Sequence, residues 1–296
     1  MRSLDAVDFL NTLAPGSVDV VFADPPYSSG GFTRGDRMAP TGEKYSEVGK
    51  AKGADRAKAP PDFGGDTKDA FAHLVWCKTW LMAAYRALRP GGHLWLCADW
   101  RTSGLGGLAL QMAGFCWRGR VVWTKPCHRR VIGGVSHAAE DVLWATRGPL
   151  AADGRPEGWL RMAGKPGGPP QIDGEWRGSA PGGVKRRHLT HKPVGLVDHL
   201  LRLVWVHDGR QVVVADPFAG SGVVGEVAKA RGFTFYGNDL DPDMAAAAQR
   251  AVDAVDADAL RRHLDGLAAL PPTADHDALG EPPGAEDVAE DMRGVL

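Results

Sequence analysis

The chain has 296 residues, of which 44% are hydrophobic and 24% charged, so it can bury the core of one large domain or of a domain with an insert. The charges of its 35 Lys plus Arg and its 36 Asp plus Glu nearly cancel, so the net charge predicts neither a nucleic-acid nor a membrane partner. The four cysteines are widely spaced, which favours reduced thiols over a disulfide framework. Neither a signal peptide nor a membrane-length apolar run is evident, so we expect a cytoplasmic protein without membrane contact.

The first predicted elements are a short helix and a buried strand. The segment "SLDAVDFLNTLAPGS" has helical character up to Pro15 and Gly16, and Val18 to Ala23 are mostly β-formers. An aspartate, two prolines and a tyrosine follow this strand directly. Residues 28–69 are rich in Gly, Pro, Lys and Arg without apolar periodicity, which predicts a mobile loop, either a functional lid or a disordered segment.

Strands and helices alternate through the middle of the chain. The stretch "AFAHLVWCKTWLMAAYRALRPGG" has apolar residues at helical spacing and ends at Pro90, and "HLWLCAD" follows as a strand. A helix around Leu105 to Ala113 and a strand pair, "GRVVWTKP" with "EDVLWATRG", come next. The strand, helix, strand order indicates a parallel sheet.

The C-terminal third predicts a second α/β unit. "HKPVGLVDHLLRLVW" is helical, and residues 211–255 follow as strand, glycine loop, helix, strand and helix. Residues 271–296 are acidic and rich in Pro, Gly and Ala, so they are predicted to form a disordered tail.

A glycine motif follows the strand Val212 to Ala215. Gly220, Gly222 and Gly225 have the G-x-G-x-x-G spacing, and Asp239 lies at the end of the next strand. The glycines let the backbone approach a ligand closely at a helix N-terminus, and the carboxylate can accept hydrogen bonds from ribose hydroxyls. The motif by itself fits a nicotinamide cofactor as well as S-adenosylmethionine.

The stretch "DPFAGSG", Asp216 to Gly222, resembles the S-adenosylmethionine-binding motif of the amino-methylating DNA methyltransferases. "HLTHKP", starting at His188, resembles the segment that precedes this loop in the same family, which usually has proline where Leu189 stands. The resemblance implies a cofactor site formed by Asp5, Lys192, Pro193, Asp216, Phe218, Ala219, Gly220, Ser221, Gly222, Asp239 and Asp241. Asp5 is equally well explained as a helix N-cap.

The four residues after the first strand match the catalytic tetrapeptide of these methyltransferases: Asp24, Pro25, Pro26 and Tyr27. An exocyclic amine is a poor nucleophile because its lone pair is delocalised into the ring. A carboxylate and a proline carbonyl that accept both amine hydrogens would direct this lone pair at the methyl group, and the prolines keep the acceptors in place. Tyr27 offers a ring for the target base, which must leave the duplex to reach the site.

The order of the motifs is permuted, because the catalytic motif precedes the cofactor motif. This order resembles the circularly permuted beta group of DNA amino-methyltransferases, over Asp5 to about Gln249. The resemblance implies an α/β fold of the Rossmann-like class I S-adenosylmethionine-dependent methyltransferase type, with a mostly parallel seven-stranded sheet, circularly permuted, and a small target-recognition insert. The domain would comprise a catalytic part (1–146), a target-recognition region (147–187) and a cofactor-binding part (188–270).

Basic residues are clustered in three stretches of this chain, where they could neutralise DNA phosphates or form a solvated face. The predicted DNA-binding residues are Arg34, Arg37, Lys125, Arg129, Arg130, Lys185, Arg186 and Arg187. His128 beside Cys127, and His188 with His191, lack a further ligand at suitable spacing, so we predict no metal site.

The function these motifs favour is site-specific methylation of adenine N6 in DNA, with S-adenosylmethionine as the methyl donor. Methylation of cytosine N4 is the main alternative, although that type more often has serine where Asp24 stands. A catalytically silent DNA-binding subunit would be expected to lack Asp24 or the glycines, and a nicotinamide-dependent oxidoreductase leaves the tetrapeptide unexplained. RNA or a protein glutamine as substrate, a homodimer and a cognate restriction enzyme remain open.

Overall fold

A computed structural model of the protein describes residues 1–28, 68–126, 133–150, 172–179, 191–204 and 211–269. Its centre is a sheet of seven strands in the order β5-β3-β4-β2-β1-β6-β7. The strands are β1 (Val18–Ala23), β2 (Leu88–Ala98), β3 (Cys116–Thr124), β4 (Ala139–Thr146), β5 (Glu175–Arg177), β6 (Val213–Asp216) and β7 (Thr234–Gly237).

The sheet is mostly parallel, as the sequence predicts. β1 runs parallel to β2 on one side and to β6 on the other, and β6 runs parallel to β7. β4 is antiparallel to both of its neighbours, β2 and β3, while β5 is parallel to β3. The first residues of β4 therefore lie at the edge of the sheet where the other strands end.

Helices cover both faces of the sheet. Seven helices lie within the described residues: α1 (Ala6–Thr12), α2 (Ala70–Ala87), α3 (Ser103–Met112), α4 (Val194–Leu201), α5 (Val223–Ala230), α6 (Pro242–Ala254) and α7 (Ala257–Ala268). Buried residues of α1, α2 and α3 form one core cluster, and those of α4, α5 and α7 form a second. This three-layer arrangement confirms the predicted Rossmann-like fold class.

β1 lies between the two cores. Every residue of the strand is buried, and its apolar side chains alternate between the clusters, with Val21 in the first core and Phe22 in the second. Asp19 is the strand's buried acidic residue, and it pairs with Arg89 and accepts a hydrogen bond from the backbone N–H of Val213 at 2.9 Å. The strand that carries the tetrapeptide is thus fixed on both faces.

Part of the predicted target-recognition region belongs to the sheet. β5 pairs with the end of β3, and Trp176 is buried in the second core cluster. The rest of residues 147–187 falls mostly outside the described residues, as do the predicted loop after Ser28 and the predicted tail 271–296. In the described parts of the chain, none of the helices has both the length and the apolar character needed to cross a membrane.

Candidate active site

The two sequence motifs meet at one edge of the sheet. Val21 of β1 pairs with Ala215 of β6, so Asp24 and Asp216 lie at the same carboxyl edge. β7 runs alongside β6 in the same direction and brings Asp239 to this edge. The strand order changes direction at β1, because β2 lies on one side of it and β6 on the other. In open α/β sheets, ligands bind at the carboxyl ends of the strands at such a point.

The glycine loop after β6 is held by carboxylates at both ends. The backbone N–H of Phe218 donates to Asp216 Oδ1 at 2.9 Å, and that of Gly220 donates to Asp239 Oδ2 at 2.9 Å. The loop ends at Gly222, the residue that precedes α5. Asp239 therefore fixes the loop and lies beside it, which is where the sequence predicts a ribose.

The three glycines of the motif have different roles. Gly222 has φ +85°, and a Cβ added there would lie 2.9 Å from the carbonyl oxygen of Ala248, so α5 and α6 pack closely at this point. A Cβ at Gly225 would lie 2.6 Å from the ring of Phe235. At Gly220, with φ +49°, the nearest heavy atom would be a backbone oxygen at 3.9 Å. Gly220 therefore has an open side, which a ligand can approach closely.

Asn238, which belongs to none of the sequence motifs, ties the N-terminal segment to the glycine loop. Its buried side chain accepts a hydrogen bond from the Leu4 N–H and donates to the carbonyl oxygens of Leu4 and Pro217, at 3.0, 3.0 and 3.2 Å. Asp5 is thereby brought to the same edge. Its Oδ1 accepts from the Val7 N–H at 2.8 Å, so Asp5 is the N-cap of α1, and cofactor contact stays a prediction.

Phe218 stands against two tryptophans of α2. The ring centroids of Trp80 and Phe218 are 5.2 Å apart in an edge-to-face arrangement, and those of Trp76 and Phe218 are 5.7 Å apart. Such contacts hold an aromatic side chain in one orientation. Phe218 is therefore a fixed, half-buried wall beside the glycine loop.

The remaining residues of the predicted cofactor site are distributed around this loop. Ala219 and Ser221 are buried within it. Asp241 is exposed and accepts from the Asp243 N–H at 2.8 Å, as the N-cap of α6. Pro193 is the residue before α4 and lies next to Lys192.

Asp216 is a buried carboxyl. Burial raises the pKa of Asp216 well above its ordinary value, and the negative charges of Asp24 and Asp239 add to this, against the hydrogen bond from the Phe218 backbone. A raised pKa favours the protonated form of Asp216.

The tetrapeptide leaves β1 in a fixed conformation. Pro25 is buried and Pro26 half-buried, and Ser28, just past Tyr27, has φ +53° with its side chain buried. Ser28 is the non-glycine residue with a positive φ among the described residues. Such a conformation persists where the surrounding structure stabilises it.

Both oxygens of Asp24 accept hydrogen bonds, one from the half-buried Tyr27 and one from the buried Lys192. The Tyr27 hydroxyl donates to Oδ1 at 2.8 Å, and Lys192 Nζ donates to Oδ2 at 2.7 Å. Burial would lower the pKa of Lys192, but the charges of Asp24 and Glu140 outweigh burial and raise it, so the ammonium stays charged. Lys192 was predicted to bind the cofactor, and the structure brings it directly to the Asp24 carboxylate.

Glu140, at the start of β4, is a second carboxylate beside Tyr27 and Lys192, and no sequence motif predicts it. Its Oε2 accepts from the Tyr27 hydroxyl at 3.3 Å and lies 3.6 Å from Lys192 Nζ, and its Oε1 pairs with Lys125. Burial would raise the pKa of Glu140, but Lys192 and Lys125 lower it, so the carboxylate is ionised. We call Asp24, Tyr27, Lys125, Glu140 and Lys192 the buried charge cluster.

Most of the predicted DNA-binding residues lie outside the described residues: Arg34, Arg37, Arg129, Arg130, Lys185, Arg186 and Arg187. Lys125 is described, and its ammonium pairs with Glu140 and lies 4.4 Å from the centroid of the Trp123 ring. Among the described residues, no group of three or more His, Cys, Asp or Glu side chains is arranged to hold a metal ion.

Comparison with known proteins gives a consistent result. A sequence model of a family described as DNA methylase matches residues 18–250. The chain is similar to the Type II methyltransferase M2.DpnII of Streptococcus pneumoniae, with 27% identity over 257 residues, which is 84% of this chain and 88% of that protein.

Solved structures have the same fold. The M1.HpyAVI–SAM complex aligns with a TM-score of 0.54 at 18% identity and covers 85% of this chain and 98% of that one. The PvuII DNA methyltransferase, described as cytosine-N4-specific, aligns with a TM-score of 0.54 at 13% identity and covers 99% of this chain and 91% of that one.

Proposed function

Because the chain belongs to the DNA methylase family whose sequence model matches residues 18–250, we propose that it transfers a methyl group from S-adenosylmethionine to the exocyclic N6 amine of adenine in DNA. The observation that supports this most directly is the position of Asp24. Its carboxylate lies at the strand end next to the glycine loop, with both oxygens held by hydrogen bonds from Tyr27 and Lys192.

The glycine loop fits the cofactor. Gly220 has an open side at the end of β6, Phe218 forms a fixed wall, and Asp239 stands at the end of the adjacent strand. These residues would bind the methionine part, flank the cofactor and accept ribose hydroxyls, respectively. Bound there, S-adenosylmethionine supplies a methyl group on a positively charged sulfur.

The tetrapeptide would activate the amine. Asp24 and the carbonyl of Pro25 accept the two amine hydrogens, so the nitrogen lone pair is no longer confined to the ring system. The lone pair would then be available to attack the methyl carbon, with cleavage of the carbon–sulfur bond and loss of one proton from the nitrogen. Because these acceptors directly follow a buried strand and Pro25 and Pro26 restrict the backbone there, they need little reorganisation when the reaction occurs.

Adenine inside a duplex cannot reach this cluster, so the base must be flipped out at a cost of a few kcal/mol. Tyr27 provides a half-buried ring with Lys192 Nζ 5.4 Å from its centroid. Stacking of a base on such a ring contributes about 1–3 kcal/mol. This contribution offsets part of the cost of flipping.

Methylation of a ring carbon is disfavoured by the state of the nearby thiol. That reaction requires a covalent nucleophile, for which a thiolate is the usual side chain. Cys97 on β2 is buried, and burial together with the charge of Asp24 raises its pKa well above the ordinary value. The Cys97 thiol is therefore protonated and inaccessible, so it is not suited to act as that nucleophile.

Adenine is favoured over cytosine because an aspartate stands at position 24, where enzymes acting on cytosine N4 more often have serine. The chain's relatives carry the description of Type II methyltransferases, and we propose that it protects host DNA in a restriction–modification system. The first proposal concerns the methylated base and the second the biological role. Neither changes the chemistry proposed at Asp24.

Identification of the methylated nucleoside tests this function. The purified chain is incubated with S-adenosylmethionine carrying a tritiated methyl group and with mixed-sequence DNA, and the digested nucleosides are separated by mass. We expect N6-methyladenine. N4-methylcytosine as the only product would transfer the same mechanism to cytosine, and 5-methylcytosine would contradict the mechanism.

A further inference from the structure

We infer that Glu140 is a positioning residue for methyl transfer, which takes up the donors of Asp24 when the target amine enters. The inference rests on the proposed amine methylation and adds to it a residue that does not touch the amine. It is drawn from the contacts of the buried charge cluster.

Two donors are shared between two carboxylates in this cluster. The Tyr27 hydroxyl is 2.8 Å from Asp24 Oδ1 and 3.3 Å from Glu140 Oε2. Lys192 Nζ is 2.7 Å from Asp24 Oδ2 and 3.6 Å from Glu140 Oε2. In each case the shorter contact is to Asp24. The structure therefore shows the donors bound mainly to Asp24, with Glu140 within reach of both.

The donors compete with the substrate. Asp24 must accept a hydrogen of the target amine, and a charged ammonium and a hydroxyl already occupy one position on each of its oxygens. A carboxylate oxygen has a second acceptor position, but a cation on the same carboxylate reduces its strength toward another donor. Accepting the amine strongly requires that Lys192 or Tyr27 weaken its bond to Asp24.

Glu140 offers these donors another partner without exposing them to water. Its Oε2 would have to approach Lys192 Nζ by less than ~1 Å to form a full charge-assisted hydrogen bond. Both side chains are well covered, with 19% of Glu140 and 4% of Lys192 exposed, so the exchange takes place within the protein. Lys125 holds Glu140 Oε1 and keeps the carboxylate oriented.

Glu140→Gln tests the inference, because it preserves the side chain's shape and removes its charge. We expect the turnover rate with saturating S-adenosylmethionine and DNA to fall roughly tenfold to a hundredfold, as for loss of a charge-assisted hydrogen bond. The dissociation constant of S-adenosylmethionine, measured by calorimetry, should change by less than about twofold, which also shows that the variant is folded. Glu140→Asp should recover part of the turnover.

Asp141→Asn is the matched control. Asp141 is the next residue of β4, pairs with Arg120 on the other side of the strand, and lies outside the cluster. Its turnover should stay close to that of the wild type. A second test combines Glu140→Gln with Tyr27→Phe, which removes one of the competing donors. We expect the loss caused by Glu140→Gln to be smaller in this background.

Three results would overturn the inference: wild-type turnover in Glu140→Gln, the same loss in Asp141→Asn, or strictly multiplicative losses in the double variant. Failure of the proposed function looks different, since the wild-type chain itself would then yield no methylated amine. In that case the inference falls with it.

Discussion

Lys192 Nζ lies 2.7 Å from Asp24 Oδ2, although the two residues are 168 positions apart in the chain. The contact joins the segment after β1 to the segment that precedes α4. Lys192 is also within 3.6 Å of Glu140, so one buried cation faces two carboxylates. The Asp24 carboxylate is thus oriented by a residue from the C-terminal third of the chain.

Replacing Lys192 by methionine should destabilise the fold. The variant leaves Asp24 and Glu140 without their shared cation, and breaking a buried ion pair costs up to about 3–5 kcal/mol. Urea unfolding at neutral pH measures the loss. Lys125→Met is the control, because this lysine is more exposed and its ion-pair partner among the described residues is Glu140, so its loss should be clearly smaller. Equal losses would show that Lys192 carries no special role in the cluster.

Two glycine variants should separate packing from ligand approach. Gly222→Ala places a methyl group 2.9 Å from a carbonyl oxygen at φ +85°, so it should lower the free energy of unfolding by about 2–4 kcal/mol. Gly220→Ala meets open space and carries only the conformational cost of about 1–2 kcal/mol. Its methyl group should instead weaken S-adenosylmethionine binding by roughly tenfold or more. Urea unfolding measures the stability of both variants, and calorimetry measures their affinity for S-adenosylmethionine. A larger stability loss in Gly220→Ala, or a binding loss confined to Gly222→Ala, would contradict these roles.

Asp216→Asn should change how stability depends on pH. Because the pKa of Asp216 is raised in the fold, the native carboxyl holds its proton more tightly than the unfolded chain does. The free energy of unfolding therefore decreases as pH rises above about 3.9, by about 1.4 kcal/mol for each pH unit up to the raised pKa. The asparagine variant lacks this decrease, and its Oδ1 can still accept from the Phe218 N–H.

The variant should thus be more stable than the wild type at neutral pH, and the difference should vanish below about pH 4. Unfolding by urea across this range, without cofactor or DNA, provides the comparison. A difference that grows toward low pH would mean that Asp216 is ionised in the fold.

DNA binding should depend on salt through Arg129 and Arg130 more than through Lys125. Each lost phosphate contact reduces the slope of log affinity against log salt by about 0.9. Lys125 is already paired with Glu140, so Lys125→Ala should leave the slope nearly unchanged. Replacing both arginines by alanine should reduce it. Fluorescence anisotropy with mixed-sequence DNA gives the slopes, and an unchanged slope in the arginine variant would remove this pair from the interface.

The sequence predicts the sheet and the meeting of its two motifs well, because both depend on local patterns. Apolar runs that end in an aspartate locate β1 and β6, and parallel neighbours place Asp24 and Asp216 at one edge. The glycine spacing likewise predicts the loop that precedes α5. These features need no knowledge of distant contacts.

Glu140 could not be predicted in the same way. It stands at the start of its strand, and only the antiparallel direction of β4 brings that start to the carboxyl edge. The partner of Lys192 is a further case, since a family segment indicates that the lysine lies near the cofactor but not that it binds Asp24. Asp5 illustrates the reverse, because its capping bond is local and was one of the two interpretations that the sequence allowed.

The most direct test of the account is the rate of a single turnover by Asp24→Ala, measured beside its affinity for S-adenosylmethionine. The carboxylate acts on the amine, and its loss removes an interaction that is strongest in the transition state. We therefore expect methyl transfer to DNA to be abolished while calorimetry shows nearly unchanged cofactor binding. Methyl transfer at the wild-type rate by Asp24→Ala would contradict the account.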